Sequence, residues 1–226
     1  YGASQLERRP YRMLFVGASI TAGVGAETQS QSFPYVLAGE VEKKVGQVRL
    51  TIIASSGAPV HRALPWRYPS GQDVIVVHLA TNDFLDGTEL PAYKSELETI
   101  LQRFRAGSPH AAMVCLGTWS APDAVNKLGL GPSAYDAIDK GDCDSVNGHF
   151  IPLQPLFEQP KLHNPAPLAL APRLLLGMRD VGGKDVAFHP SAAGHAAIAE
   201  SVYDTLVQAD ALRPPTQMVR GDSRYA

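Results

Sequence analysis

Predominantly apolar stretches recur five times along the chain, at Arg12–Ala18, Val48–Ala54, Asp73–Ala80, Ala111–Gly117 and His149–Leu153. Runs this short with so little polar alternation fit strands covered on both faces. Between the first two, "SFPYVLAGEVEKKVG" sets Phe33, Val36, Leu37 and Val41 at helical spacing, and Gly46 supplies a stop. The pattern returns between the third and fourth runs, where "ELPAYKSELETILQRFRAG" carries an apolar stripe of Tyr93, Leu97, Ile100, Leu101 and Phe104. A last helical segment, "SAAGHAAIAESVYDTLVQA", follows the fifth run. Strand and helix alternating in this way predict an α/β fold with a parallel sheet flanked by helices.

Two segments break the rhythm. Ser120–Asp144 and Gln154–Lys184 are long, rich in proline and glycine, and weakly periodic, so they read as loops. They follow the fourth and fifth strands, at the sheet edge where open parallel sheets place their ligands. The expected organisation is one domain over residues 1–212 with a flexible tail over 213–226. An "RGD" at Arg220–Asp222 reads as a chance tripeptide in that tail.

Composition narrows the class. With 226 residues, 45% hydrophobic and 19% charged, the chain suits one globular domain with a sizeable core. Its formal net charge of -2 gives no broad attraction to nucleic acid or anionic lipid. No apolar run approaches the roughly 20 residues that span a bilayer. The expected partner is a small-molecule or carbohydrate substrate. The chain starts at Tyr1 without a methionine, which leaves a removed signal peptide open. Cys115 lies in the apolar "MVCLG" and reads as core; pairing with Cys143 is the alternative, and would favour an exported protein. Localisation is unassigned, with export weighted slightly above the cytoplasm.

The chemistry gathers where strands stop. "LFVGASITAG" turns from apolar strand into small residues, which suits either a phosphate cradle or a presented Ser19. The cradle fails: Gly17–Gly25 contains no lysine, and its glycines do not match G-x-G-x-x-G. A nucleophile needs a base, a group that orients the base, and oxyanion donors. His189 lies in "VAFHPSAAGH" just before a proline and a helix, with Asp185 four residues earlier. Gly57 in "IIASSGAP" and Asn82 in "HLATNDF" end the second and third strands and offer a backbone N–H and a side-chain amide. In a parallel sheet, Ser19, Gly57 and Asn82 then share one edge. His78 and His195 read as packing residues; His61, His110, His149 and His163 show no metal-ligand spacing, and neither metal nor cofactor is expected.

Taken in order, "VGASITAG", "SSGAP", "ATNDF" and "DVAFHPSAAGH" resemble the four blocks of the SGNH hydrolases, also called the GDSL esterase/lipase family. That resemblance implies a three-layer α/β/α sandwich around a five-stranded parallel sheet. It also implies Ser19 as nucleophile, His189 as base, and an oxyanion hole from the Ser19 and Gly57 N–H groups with the Asn82 side chain. Three positions depart from the family pattern: Ala18 replaces its aspartate, Ala80 a glycine, and Val186 the aspartate three residues before the histidine. Asp185 through a one-residue bulge, a backbone carbonyl, or the more distant Asp180 could then orient His189.

The expected function is hydrolysis of carboxylic esters through an acyl-enzyme, with short acyl chains such as acetyl on a sugar or small alcohol. Acyl transfer to a carbohydrate or alcohol, or a weakened binding module of the same fold, are the alternatives. Trp119, Tyr135 and Phe157 in the long segments fit a sugar platform, an acyl groove or loop packing.

Overall fold

A computed structural model of the chain describes residues 9–163 and 188–214. β1 (Tyr11–Gly17), the run that ends in the Gly-Ala-Ser turn, lies inside the sheet between β2 (Val48–Ala54) and β3 (Val74–His78). β4 (Ala112–Leu116) and β5 (His149–Ile151) complete five parallel strands in the order β2-β1-β3-β4-β5. Register brings Gly17 opposite both Ala54 and His78, so the first three strands stop level with one another.

Alternate residues of a strand face opposite ways, and here each face meets its own helices. Met13, Phe15, Val76 and Val114 pack with α1 (Phe33–Val45) and α7 (Ala192–Gln208). Leu14, Val16, Ile75 and Val77 pack on the other side with α4 (Leu90–Gly107) and α5 (Pro132–Ser145). The result is the α/β/α sandwich expected. Three short helices, α2 (Val60–Ala63), α3 (Ala80–Asp86) and α6 (Gln154–Phe157), sit in connections.

Two expectations are corrected. The third strand ends at His78 rather than Ala80, and Ala80–Asp86 turns at once into α3. The supposed loop Ser120–Asp144 holds α5, a 14-residue helix whose buried face is written in acids as well as apolar groups: Tyr135, Asp136, Asp139, Asp142 and Cys143. Each acid is anchored by a donor, Asp136 by Thr118 and Gln154, Asp139 by the Tyr93 hydroxyl and Asp142 by Lys94. Cys143 is disulfide-bonded to Cys115 of β4. The pairing left as an alternative on sequence is thus present, and it ties α5 to the sheet. Of the second long segment, residues 164–184 lie outside the described residues, as does the tail from residue 215. No described helix is long and apolar enough to cross a membrane.

Candidate active site

Ser19 follows β1 at the start of a tight turn, in which the Ala22 N–H donates to the Ala18 carbonyl and the Val24 N–H to that of Ser19. Gly17 makes room for it. A Cβ at Gly17 would stand 2.6 Å from the His78 carbonyl oxygen, so a side chain there would force β1 and β3 apart. The half-buried Ser19 directs its hydroxyl at His189, with Oγ 2.9 Å from Nε2. These two residues are 170 positions apart in sequence.

Several bonds pin the segment that carries His189. The Trp119 indole N–H donates to the Phe188 carbonyl, Pro190 forms an antiparallel bridge with His163, and the Ser191 N–H donates 2.8 Å to the Leu162 carbonyl. Ser191 also caps α7, its hydroxyl oxygen accepting the Gly194 N–H. From the other side comes Gly25, at φ +101°, where a Cβ would approach that of His189 to 3.0 Å. Only glycine takes that backbone conformation readily. The His189 side of the site is therefore almost wholly buried, with His189 itself 2% exposed.

Gly57 lies in the exposed turn after β2 at φ +72°, a conformation that again suits glycine. Asn82 departs from its expected place at a strand end: it is the third residue of α3, four positions past the end of β3. Its amide nitrogen lies 3.4 Å from the Ala58 carbonyl oxygen, which sets it over the Gly57 turn. Next to it, Asp83 is fully buried and accepts the Val60 N–H at 2.7 Å, fastening α3 to α2. Burial pushes the Asp83 carboxyl up to about 7, against the pull of the Val60 N–H. Ser19, Gly57 and Asn82 thus leave three adjacent strands that stop in register.

The histidines read as packing residues are buried beside the site. His195 bridges two segments: its Nδ1 accepts the Phe33 N–H at the start of α1, and its Nε2 lies 3.1 Å from the Val24 carbonyl oxygen. His78 stands 3.1 Å from the Thr81 hydroxyl. Burial lowers both imidazoles to about 4, so they are neutral at pH 7. Asp185 and Asp180, the candidate orienting acids, lie outside the described residues. Among the described residues no three His, Cys, Asp or Glu side chains are grouped to hold a metal.

Trp119 and Tyr135 are fully buried, so of the three roles open to them on sequence, packing holds, in a loop for Trp119 and on the inner face of α5 for Tyr135. The Trp119 ring meets Phe157 edge-on at 5.4 Å and His163 at 5.5 Å. Its support of the His189 segment, like that of Gly25, was missed on sequence. The contacts that define both residues are made with chain far away.

The chain belongs to the GDSL-like lipase/acylhydrolase family, whose model matches residues 15–197 and so takes in Ser19, Gly57, Asn82 and His189. Solved structures share the architecture. TesA superposes with a TM-score of 0.61 at 20% identity, covering 86% of this chain and 97% of that one. The psychrotrophic esterase EstA from Pseudoalteromonas sp. gives 0.62 at 14% identity, covering 88% and 97%. The acetyl xylan esterase AlAXEase gives 0.61 at 16% identity, covering 86% and 99%. No curated protein sequence matches the chain.

Proposed function

We propose that this chain is a serine hydrolase of carboxylic esters that works through an acyl-enzyme. The observation that carries this reading is the 2.9 Å approach of Ser19 Oγ to His189 Nε2 at the edge where Gly57 and Asn82 also emerge. A serine hydroxyl is a weak nucleophile until a base within hydrogen-bond reach takes its proton. Ser19 Oγ attacks the acyl carbon while His189 Nε2 takes the proton. Negative charge on the former carbonyl oxygen is met by the Ser19 and Gly57 N–H groups and the Asn82 amide, whose bond to Ala58 is long enough to yield to a stronger acceptor. His189 returns the proton to the departing alcohol. Water then repeats the sequence on the acyl-enzyme and frees the acid and Ser19.

Short acyl chains, such as acetyl on a sugar or small alcohol, are the proposed substrates; one of the proteins of like fold is named for an acetyl ester of xylan. The test is hydrolysis of p-nitrophenyl esters from acetate to palmitate by wild type, Ser19→Ala and Asn82→Ala. Activity should peak at short chains, fall to background in Ser19→Ala, and drop ~10²–10³-fold in kcat in Asn82→Ala. Equal rates in all three proteins would sink the mechanism. An optimum at long chains would overturn the substrate class alone.

A further inference from the structure

Trp119 uses both of its N–H groups, and each leads to a different part of the site. Its backbone N–H donates at 3.0 Å to the Thr81 hydroxyl oxygen, immediately before Asn82 in the first turn of α3. Its indole N–H donates to the carbonyl of Phe188, immediately before His189. The residue is 0% exposed and both of its N–H groups are bonded to other parts of the chain, so it acts through its neighbours. It is also held from behind. The Thr118 N–H and hydroxyl both donate at 2.7 Å to one oxygen of Asp136, whose other oxygen takes the Gln154 amide, and the helix that bears Asp136 is bonded to β4 through Cys143.

The geometry points to Trp119 as the positioning residue that keeps the His189 ring and the Asn82 amide in one register, a role that rests on the reading of those two residues given above. The two groups must serve the same acyl carbon within one turnover, one at the serine proton and the other at the oxyanion. They are carried by separate segments, α3 and the stretch just before α7. An error of about 1 Å in such an arrangement can cost ~10² in rate. Trp119 joins both segments through directional bonds that packing alone would not supply. Phenylalanine in its place keeps most of the ring and the backbone N–H but removes the bond to Phe188.

The experiment compares wild type and Trp119→Phe by two readouts. The first is kcat and KM for p-nitrophenyl acetate, counted per site titrated with a fluorophosphonate, so that unfolded protein does not enter. We expect kcat to fall roughly tenfold to a hundredfold with KM changed less than about twofold. The second needs no substrate: the His189 ring nitrogen resonance is recorded with Ser19 present and in the Ser19→Ala background. Because Nε2 is 2.9 Å from Oγ, removing the hydroxyl moves that resonance in the wild type, and Trp119→Phe should shrink the response. A full response in folded Trp119→Phe overturns the inference whatever the rate. A wild type without esterase activity overturns the function proposed above, while the resonance still decides the role of Trp119. Should Trp119→Phe fail to fold, Thr81→Val cuts the other bond, on the Asn82 side, with a side chain of equal shape; kcat should then fall with KM little changed while the His189 response stays full, and an unchanged kcat there overturns the inference.

Discussion

A histidine that takes a proton from a serine must keep its other ring nitrogen protonated and its ring still, and a carboxylate is the strongest device for both. At the residue scale the open question is which group orients His189, because the family resemblance implies an aspartate three residues before it, where this chain has Val186, with Asp185 one step further away. If Asp185 fills the role, Asp185→Asn lowers turnover by up to ~10⁴ while the protein folds as before. A loss of only a few fold, measured on the same acetate ester, would assign the ring to a main-chain carbonyl. The placement of Ser19, Gly57 and His189 at one edge was legible because each is a functional group or a glycine set where a strand stops or a helix starts. Gly25 and Trp119 were not, because what they do depends on meeting the His189 segment: a glycine in a turn and a tryptophan in a loop have many ordinary uses. Asn82 was expected at a strand end and lies instead in α3, since a helix that begins two residues after a strand leaves no apolar period to reveal it.

Among the elements, the strands and the three long amphipathic helices could be read because burial wrote them in apolar residues. α5 could not. Its inward positions include Asp136, Asp139 and Asp142 while Ala137 faces solvent, so no apolar stripe marks the buried face. What keeps such a helix on the sheet is a set of specific bonds, and the disulfide between Cys115 and Cys143 is the covalent one. It closes a loop with a sequence separation of 28, for which chain entropy predicts a stabilisation of about 3–4 kcal/mol. Replacing both cysteines with alanine should therefore lower the melting temperature well below that of the oxidised wild type. Reductant should destabilise the wild type and leave the double variant unmoved. Because Asp136 rides on the same helix and holds Thr118, the variant should also lose turnover before it unfolds, which is checked by assaying below its melting transition.

For the molecule as a whole, buried ionisable groups set opposing dependences on pH. Burial lowers His78 and His195 to about 4 in the fold from an ordinary value of 6.5, so the unfolded chain binds more protons between these values. Their contribution is complete above pH 6.5 and is lost as pH falls toward 4. Asp83 runs the other way: with a folded value of about 7 against 3.8, its contribution is complete below pH 3.8 and is lost as pH rises through 7. Asp83→Asn, which keeps an oxygen for the Val60 N–H and carries no charge, should gain on the order of 1–3 kcal/mol over wild type at pH 8, where burial opposes the charge of the wild-type carboxylate. At pH 4 the two proteins should be nearly equal, and in between the variant should lose stability more steeply on acidification. Denaturant titrations at pH 4, 6 and 8 check this, and equal curves at pH 8 would refute it. The 170 positions between Ser19 and His189 have a consequence for synthesis. On the ribosome Ser19 emerges early and waits while four further strands are made, and its partner arrives only with the start of α7. An unfinished chain therefore carries Ser19 without His189, so on the proposed mechanism no activity is expected from a nascent chain that stops short of α7.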